Sequence, residues 1–103
     1  MSKYLLLYAG GSMPETDEAR DAVMKAWDGW FATLGKALVD GGNPISASKK
    51  ISADGSITSG AGDASGYSVI EADSLDAATD LAKGCPVLQG GASVSVFETF
   101  EVM

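Results

Sequence analysis

The sequence predicts an α+β fold in which an antiparallel sheet carries two helices on one face, in the ferredoxin-like order β-α-β-β-α-β. Three observations predict it. Between residues 66 and 86 a strand, a cap, a helix and a helix stop follow one another without spare residues. A long amphipathic stretch over residues 16–40 precedes them, and short apolar segments lie near both ends of the chain. At 103 residues the chain is long enough for one core, so we expect a single domain over residues 1–103.

The first strand is predicted over residues 4–9, because this run is short, apolar and followed by two glycines. Its composition is typical of a central strand that is buried on both faces. Since side chains alternate along a strand, Tyr4 and Tyr8 should point to the same face. The glycine turn after it lacks the lysine of a phosphate-binding loop, so we interpret it as a connection.

The first helix is predicted over residues 16–40, because large apolar residues recur there at spacings of three and four. We expect it to end at the Gly-Gly-Asn-Pro run of residues 41–44, although Gly29 and Gly35 weaken it on the way. The residues of its apolar face are Val23, Trp27, Trp30, Phe31, Leu34 and Leu38.

A small hairpin arm is expected after the second strand. Residues 45–53 alternate weakly, Asp54 and Gly55 form a strong hairpin-turn signal, and residues 56–59 supply the returning arm. The loop that follows leads into the strand of residues 66–73, which is rich in residues that favour strands.

The second helix should begin at a cap formed by Asp73 or Ser74. Gly84 is expected to end it in the left-handed conformation, and Pro86 prevents its continuation. The final strand is predicted over residues 92–102, with a bulge near its end. Apolar residues occur on both sides of these strands, so we expect a second copy of the chain to cover the sheet face that carries no helices.

Charge and composition exclude several classes of function. The formal charge is −7, from 14 acidic against 7 basic residues, which makes nucleic acid and anionic membranes poor partners. The absence of histidine removes the commonest general base and metal ligand, and one cysteine excludes an internal disulfide. We therefore expect no metal and no cofactor. With no signal peptide or membrane span in view, we expect a cytoplasmic protein.

Four segments resemble the YCII-related (DGPF-type) domain family. They are residues 66–78, residues 81–86, the opening at residues 3–8 and residues 38–42. The resemblance covers nearly the whole chain and implies a dimeric α+β barrel, in which two ferredoxin-like sheets meet face to face. Relatives in that superfamily include cofactor-free monooxygenases, isomerases and small haem enzymes.

Two features depart from that family. The Asp-Gly-Pro-Phe sequence that many members carry before the third main strand is absent from residues 59–65. Other members are thought to use a His-Asp dyad with the histidine on the first helix, but the corresponding region here offers Trp27 and Asp28. The resemblance therefore implies the fold without the catalytic device.

Four aromatic residues are the candidate ligand pocket: Trp27, Trp30, Phe31 and Tyr67. For the three on the helix, the favoured interpretation is that they pack the helix on the sheet. The pocket is kept as a hypothesis because two indole N–H groups in so small a core need partners. Asp28 is a weak candidate for a general base, which would require it to point inward. Cys85 follows a helix C-terminus and is interpreted as a small buried apolar residue.

The functional hypothesis is that a homodimer binds a small apolar or aromatic molecule in a cleft between helix and sheet. The first alternative is a cofactor-free monooxygenase or isomerase that uses Asp28 or a tyrosine. The second is a subunit that binds a protein partner through an apolar patch left exposed after dimerisation.

Overall fold

The computed structural model describes residues 2–11, 14–60, 62 and 64–102. In these residues two α-helices accompany a four-stranded antiparallel sheet and a separate two-stranded sheet. In chain order the elements are β1 (Ser2–Gly10), α1 (Asp17–Leu34), β2 (Leu38–Asp40), β3 (Lys49–Ile51), β4 (Ile57–Ser59), β5 (Ala64–Ala72), α2 (Leu75–Ala82) and β6 (Ala92–Glu98), with 3₁₀ turns at Gly35–Ala37 and Pro86–Gly90.

The four-stranded sheet has the order β2-β5-β1-β6, with β1 antiparallel to both of its neighbours. This order and the two crossover helices confirm the predicted ferredoxin-like arrangement. The hairpin formed by β3 and β4 is inserted between β2 and β5 and makes a sheet of its own. Its turn is the predicted one, with Gly55 at φ 90° and the Ser56 amide donating to Asp54.

The core lies between the sheet and the two helices. Tyr4, Leu6 and Tyr8 alternate along β1 as buried residues, as predicted, whereas Leu5 and Leu7 on the other face are partly exposed. Helix α2 packs its small residues against the same side of the sheet. The chain therefore buries β1 on one face, and the expectation of burial on both faces is not met within a single chain.

Helix α1 is shorter than predicted. Gly35 ends it by taking a left-handed conformation, φ 54°, and its amide donates to the carbonyl of Phe31. Leu38, placed on the apolar face of the helix by its spacing, instead begins β2 opposite Ile70. The prediction was wrong here because Leu38 continues the helical spacing from Leu34, and spacing does not reveal which glycine closes a helix.

The hairpin arm lies where it was predicted, but its first strand is shorter than residues 45–53. The strand that joins the main sheet is β2, and only Lys49–Ile51 of the predicted segment is a strand, paired with β4. The last strand ends at Glu98, although Thr99 still bonds to the Lys3 carbonyl through its amide and its hydroxyl.

The ends of α2 agree with the sequence in part. The Ser74 hydroxyl accepts from the Ala77 amide at 3.1 Å and caps the helix as predicted. Gly84 does not have a positive φ, which corrects the expected left-handed stop. It lies against the Trp30 ring instead, where a Cβ would come within 3.2 Å of the indole Cδ1.

Candidate functional site

The N-terminal half of α1 contributes no buried residue to the core. The buried residues of this helix, Trp30 and Leu34, lie in its last turns, whereas Val23 is 39% exposed and Met24 is 61% exposed. An open cleft of about 760 Å³ lies between this half of the helix, the end of β1 and the 3₁₀ turn at Pro86–Gly90. Clefts of this size are typical of sites for small organic molecules.

The wall of the cleft on the helix side is aromatic. The Trp27 ring centroid lies 5.7 Å from that of Tyr8, edge to face, and 5.5 Å from that of Phe31. All three residues line the cleft. Because aromatic pairs favour such edge and tilted contacts, the rings hold one another in place and form a stiff apolar surface.

Trp30 lies outside the cleft, in the core. It is 6% exposed, and its indole N–H donates to the Leu81 carbonyl at 3.1 Å, which joins α1 to α2. Its ring also contacts Trp27, with centroids 5.6 Å apart. Of the four predicted pocket residues, the structure thus brings Trp27, Phe31 and Tyr67 to the cleft and places Trp30 behind it.

A buried hydrogen-bond chain supports the floor of the cleft. The Tyr8 hydroxyl donates to the Ser68 hydroxyl at 2.7 Å, and Ser68 donates in turn to the carbonyl of Gly41 at 2.8 Å. Ser68 is fully buried and Tyr8 is 4% exposed. Burial raises the pKa of the Tyr8 phenol well above its ordinary value, so the hydroxyl keeps its proton and remains a donor.

The Gly41–Gly42 pair lets the edge strand approach β5 at this point. Gly42 has φ 76°, and a Cβ on it would overlap the Tyr67 carbonyl. A Cβ on Gly41 would lie 3.1 Å from the Phe31 ring. Beyond the pair, the Asn43 carbonyl accepts from the Tyr67 amide at 3.4 Å. The two glycines thus let the backbone after β2 lie against β5, where the Gly41 carbonyl accepts from Ser68.

Tyr67 lies where the cleft meets the sheet face without helices. It stands between the buried residues Gly66 and Ser68 in β5, and it pairs with Leu7 across the strands. Since alternate residues point to opposite faces, its side chain belongs to the open face, although the residue borders the cleft. A molecule in the cleft would therefore lie close to that face.

The sequence model of the YCII-related domain matches residues 4–100. The chain belongs to the YCII-related domain family. No curated protein matches it.

Among solved structures, this YCII-related protein is similar to 5-chloro-2-hydroxyhydroquinone dehydrochlorinase (TftG) from Burkholderia phenoliruptrix AC1100, in a complex with 2,5-dihydroxybenzoquinone. The TM-score is 0.54, and the match covers 95% of this chain and 93% of the other. At 17% identity the similarity shows the shared fold.

Asp28 lies at the rim of the cleft in this YCII-related protein. It is among the lining residues, but it is exposed, one residue along α1 from Trp27. The inward orientation that a general base at this position would need is not seen. The loop at residues 59–65, which lacks the motif that many members of the family carry there, includes Ala61 and Asp63, which lie outside the described residues.

Cys85 is buried beneath the cleft, 2% exposed. Burial raises the pKa of its thiol, which keeps it neutral near pH 7, as its interpretation as a small apolar residue implies. Its side chain interacts with that of Tyr8.

Sequence reasoning missed Tyr8, Ser68 and the Gly41–Gly42 pair as parts of the site. Tyr8 carried a usable signal, because alternation places it on the helix face of the strand. Ser68 carried a weaker one, as the only polar residue at a buried position of β5. The glycine pair was interpreted as a helix stop, and its close approach to β5 depends on a strand more than twenty residues away in the chain.

Two further observations concern what the described parts of the chain contain. No three side chains of the kinds that bind metals (His, Cys, Asp or Glu) come together there as a possible ligand set. Within the same residues, neither helix is long and apolar enough to cross a lipid bilayer.

Proposed function

We propose that this protein is a homodimer that binds a small apolar or aromatic molecule in the cleft beneath α1. The observation that carries the proposal is the cleft itself: an open space of about 760 Å³ against a wall of contacting rings, Trp27 with Tyr8 and Phe31. A flat molecule against this wall would bury apolar area and stack on or against the rings.

The similarity to TftG supports a ligand of this size. That protein has the same fold, and its structure is a complex with 2,5-dihydroxybenzoquinone, a single six-membered ring. The identity of the ligand does not follow from a likeness at 17% identity. What the likeness supports is a ring-shaped molecule on a fold of this kind.

The homodimer is proposed from the open sheet face. Leu5 of β1 pairs with Val69 of β5 on one side and with Phe97 of β6 on the other, so the three form an apolar row across the sheet. Phe97 is 48% exposed in the single chain. A second copy meeting this face would bury the row, and it would approach the cleft at Tyr67.

The described residues give less support to the enzymatic alternative, a cofactor-free monooxygenase or isomerase. Such an enzyme needs a titratable group with a shifted pKa that faces the substrate. Asp28 is exposed, and the Tyr8 hydroxyl donates its hydrogen bond to Ser68 in the core. Binding is therefore the function that the geometry supports best.

The two tryptophans provide a direct test of binding. Each gives one indole N–H signal in a nitrogen-15 correlation spectrum, and the variant Trp27→Phe assigns them. Titration with 2-naphthylmethanol, a neutral two-ring probe, should shift the Trp27 signal, whereas the Trp30 signal, held by the Leu81 carbonyl, should move less. Equal small shifts at both, or none, would refute binding against the Trp27 wall.

The dimer is tested separately by sedimentation equilibrium. A concentration-dependent dimer is expected for the original chain, and Leu5→Asp should weaken it because the charge would be buried in the apolar row. Phe100→Asp, at an 84% exposed position beyond the end of β6, is the matched control. A monomer at high concentration would contradict the proposal.

A further inference from the structure

We propose that the cleft selects its ligand by charge: it takes neutral or cationic aromatic molecules and rejects anionic ones. This inference rests on the proposed binding function and specifies the class of ligand. The observation behind it is the distribution of charged side chains around the cleft, which is one-sided.

Among the described residues that line the cleft, Asp28 is the one charged side chain. The polar neutral ones include Asn43, Ser65 and Gln89. None of the seven basic residues of the chain lies in the lining. The residues outside the described ranges are Met1, Ser12, Met13, Ala61, Asp63 and Met103, and none has a basic side chain.

The nearest basic residues along the chain are on α1, where they do not reach the cleft wall. Lys25 is exposed and lies outside the lining, between two residues that belong to it. Arg20 forms an ion pair with Asp17 one turn away. No described side chain therefore supplies a positive partner for a ligand carboxylate, phenolate or phosphate inside the cleft.

An anion entering this cleft would lose water without gaining a counter-charge. Transfer of an unpaired anion to apolar surroundings is strongly unfavourable. The formal charge of −7 on the whole chain also repels an anionic ligand once it comes within the Debye screening length of the protein.

A cation meets the opposite conditions in the same place. The overall negative charge attracts it, and the faces of Trp27 and its neighbours can interact with it through their quadrupoles. Asp28 lies at the rim of the cleft and follows Trp27 in the sequence. Its carboxylate can pair with an ammonium group that stays near solvent. A neutral aromatic molecule gains the ring contacts without either charge effect.

The inference separates this protein from TftG in ligand chemistry. A 2,5-dihydroxybenzoquinone is a vinylogous acid, so it ionises readily to an enolate anion. We therefore expect that molecule, which is present in the TftG complex, to bind poorly in this cleft. The ligand class follows from the charges that surround the site, and at 17% identity those need not be shared.

The test uses three probes that share one ring system: 2-naphthylmethanol, 2-naphthylmethylamine and 2-naphthoate. Their dissociation constants are measured at pH 7 and low ionic strength from the Trp27 indole signal. We expect the alcohol and the amine to bind, and the carboxylate to bind at least ~10-fold more weakly than the amine. Added salt should reduce part of the difference in affinity between the amine and the carboxylate, because salt screens charge interactions.

Variants at Asp28 locate the effect. Asp28→Asn should lower the ratio of amine to alcohol affinity by roughly 3-fold, the scale of an exposed ion pair, and Asp28→Lys should bring carboxylate affinity above amine affinity. Asp21→Asn and Asp21→Lys are the matched controls, since Asp21 is exposed on the same helix but lies outside the lining. They make the same change in net charge and should shift the ratios less.

Each result decides between the two proposals. If the alcohol binds and the carboxylate binds as tightly as the amine, selection by charge is refuted while the binding function stands. If the Asp21 variants shift the ratios as much as the Asp28 variants, the local role of Asp28 is refuted. Binding of none of the three probes refutes the cleft as a binding site and the charge inference with it.

Discussion

Replacing Ser68 with alanine should destabilise the protein far more than its size suggests. Ser68 is fully buried and is the middle member of the chain from the Tyr8 hydroxyl to the Gly41 carbonyl. Ser68→Ala removes both hydrogen bonds at once. It also leaves a phenol hydroxyl and a carbonyl in the core without their main partners.

The expected cost follows from these losses. Two hydrogen bonds contribute about 1 kcal/mol each, and a buried group left unpaired costs about 1–3 kcal/mol, so the free energy of unfolding should fall by about 2–4 kcal/mol. The Cys85 thiol also interacts with the Tyr8 hydroxyl. As a weak acceptor it offsets only part of the loss, which keeps the lower bound near 2 kcal/mol.

A double-mutant cycle makes the reasoning sharper. Tyr8→Phe alone removes one bond and should cost about 1 kcal/mol, since Ser68 keeps its bond to Gly41. The double variant should be about as stable as Ser68→Ala alone, because it removes the phenol hydroxyl that the serine change left unpaired. The coupling energy is then about 1 kcal/mol in magnitude, equal to the cost of Tyr8→Phe alone.

The assay is urea denaturation followed by fluorescence, at one protein concentration because association adds to apparent stability. Ser93→Ala on β6 is the control, since that serine is exposed on the open face, and it should cost under about 0.5 kcal/mol. Strict additivity in the cycle, or a Ser68→Ala cost no larger than the control, would show that the chain from Tyr8 to Gly41 does not carry the stability assigned to it.

Three further predictions concern other parts of the structure. Gly42→Ala should lower the free energy of unfolding, measured in urea, by ~3 kcal/mol or more, because a Cβ at this positive φ would overlap a β5 carbonyl. Gly29→Ala is the control: Gly29 lies in a helix with open space around it, so the change should raise the free energy of unfolding by about 0.5–1 kcal/mol. Trp30→Ala should cost about 3–5 kcal/mol, read from the same titration, because it empties a core position and breaks the link between helices; a loss under half of that would place the ring outside the core. Stability should fall as the pH rises above about 9. Burial raises the pKa of the Cys85 thiol above its ordinary 9.0 and the pKa of the Tyr8 phenol above its ordinary 10.0. The unfolded chain therefore loses these protons at a lower pH than the folded chain, which favours unfolding. The last prediction is checked by urea midpoints measured across this pH range in the original chain and in Cys85→Ala. The variant should lose the first part of the decline in stability. Parallel curves of midpoint against pH for the two proteins would contradict the prediction.

The first helix shows how far local signals reach. Its start, its aromatic face and its glycines are legible in the sequence, and Thr16 caps it by accepting from the Ala19 amide at 3.1 Å. Its end was misplaced because Leu38 satisfies a helical spacing and a strand position equally well. Pairing with Ile70, far along the chain, decides between them, and a local pattern contains no information about that partner.

The candidate site divides in the same way. Trp27 and Phe31 were recognisable as concentrated aromatic area, but nothing local distinguished Trp27 in the cleft from Trp30 in the core. The difference comes from α2, whose Leu81 carbonyl takes the Trp30 N–H, and from Gly84, which leaves room for its ring. Neither contact is encoded within α1.

By itself the sequence determined the element order, the caps, the hairpin turn, the family and the absence of histidine, because each depends on residue type and near neighbours. The tertiary structure alone decided that the N-terminal half of α1 buries no residue, that Ser68 joins Tyr8 to the Gly41 carbonyl, and that Asp28 is the one charge at the cleft among the described residues. The physical reason is that these features arise from contacts between segments distant in sequence, where packing and strand register override local preference.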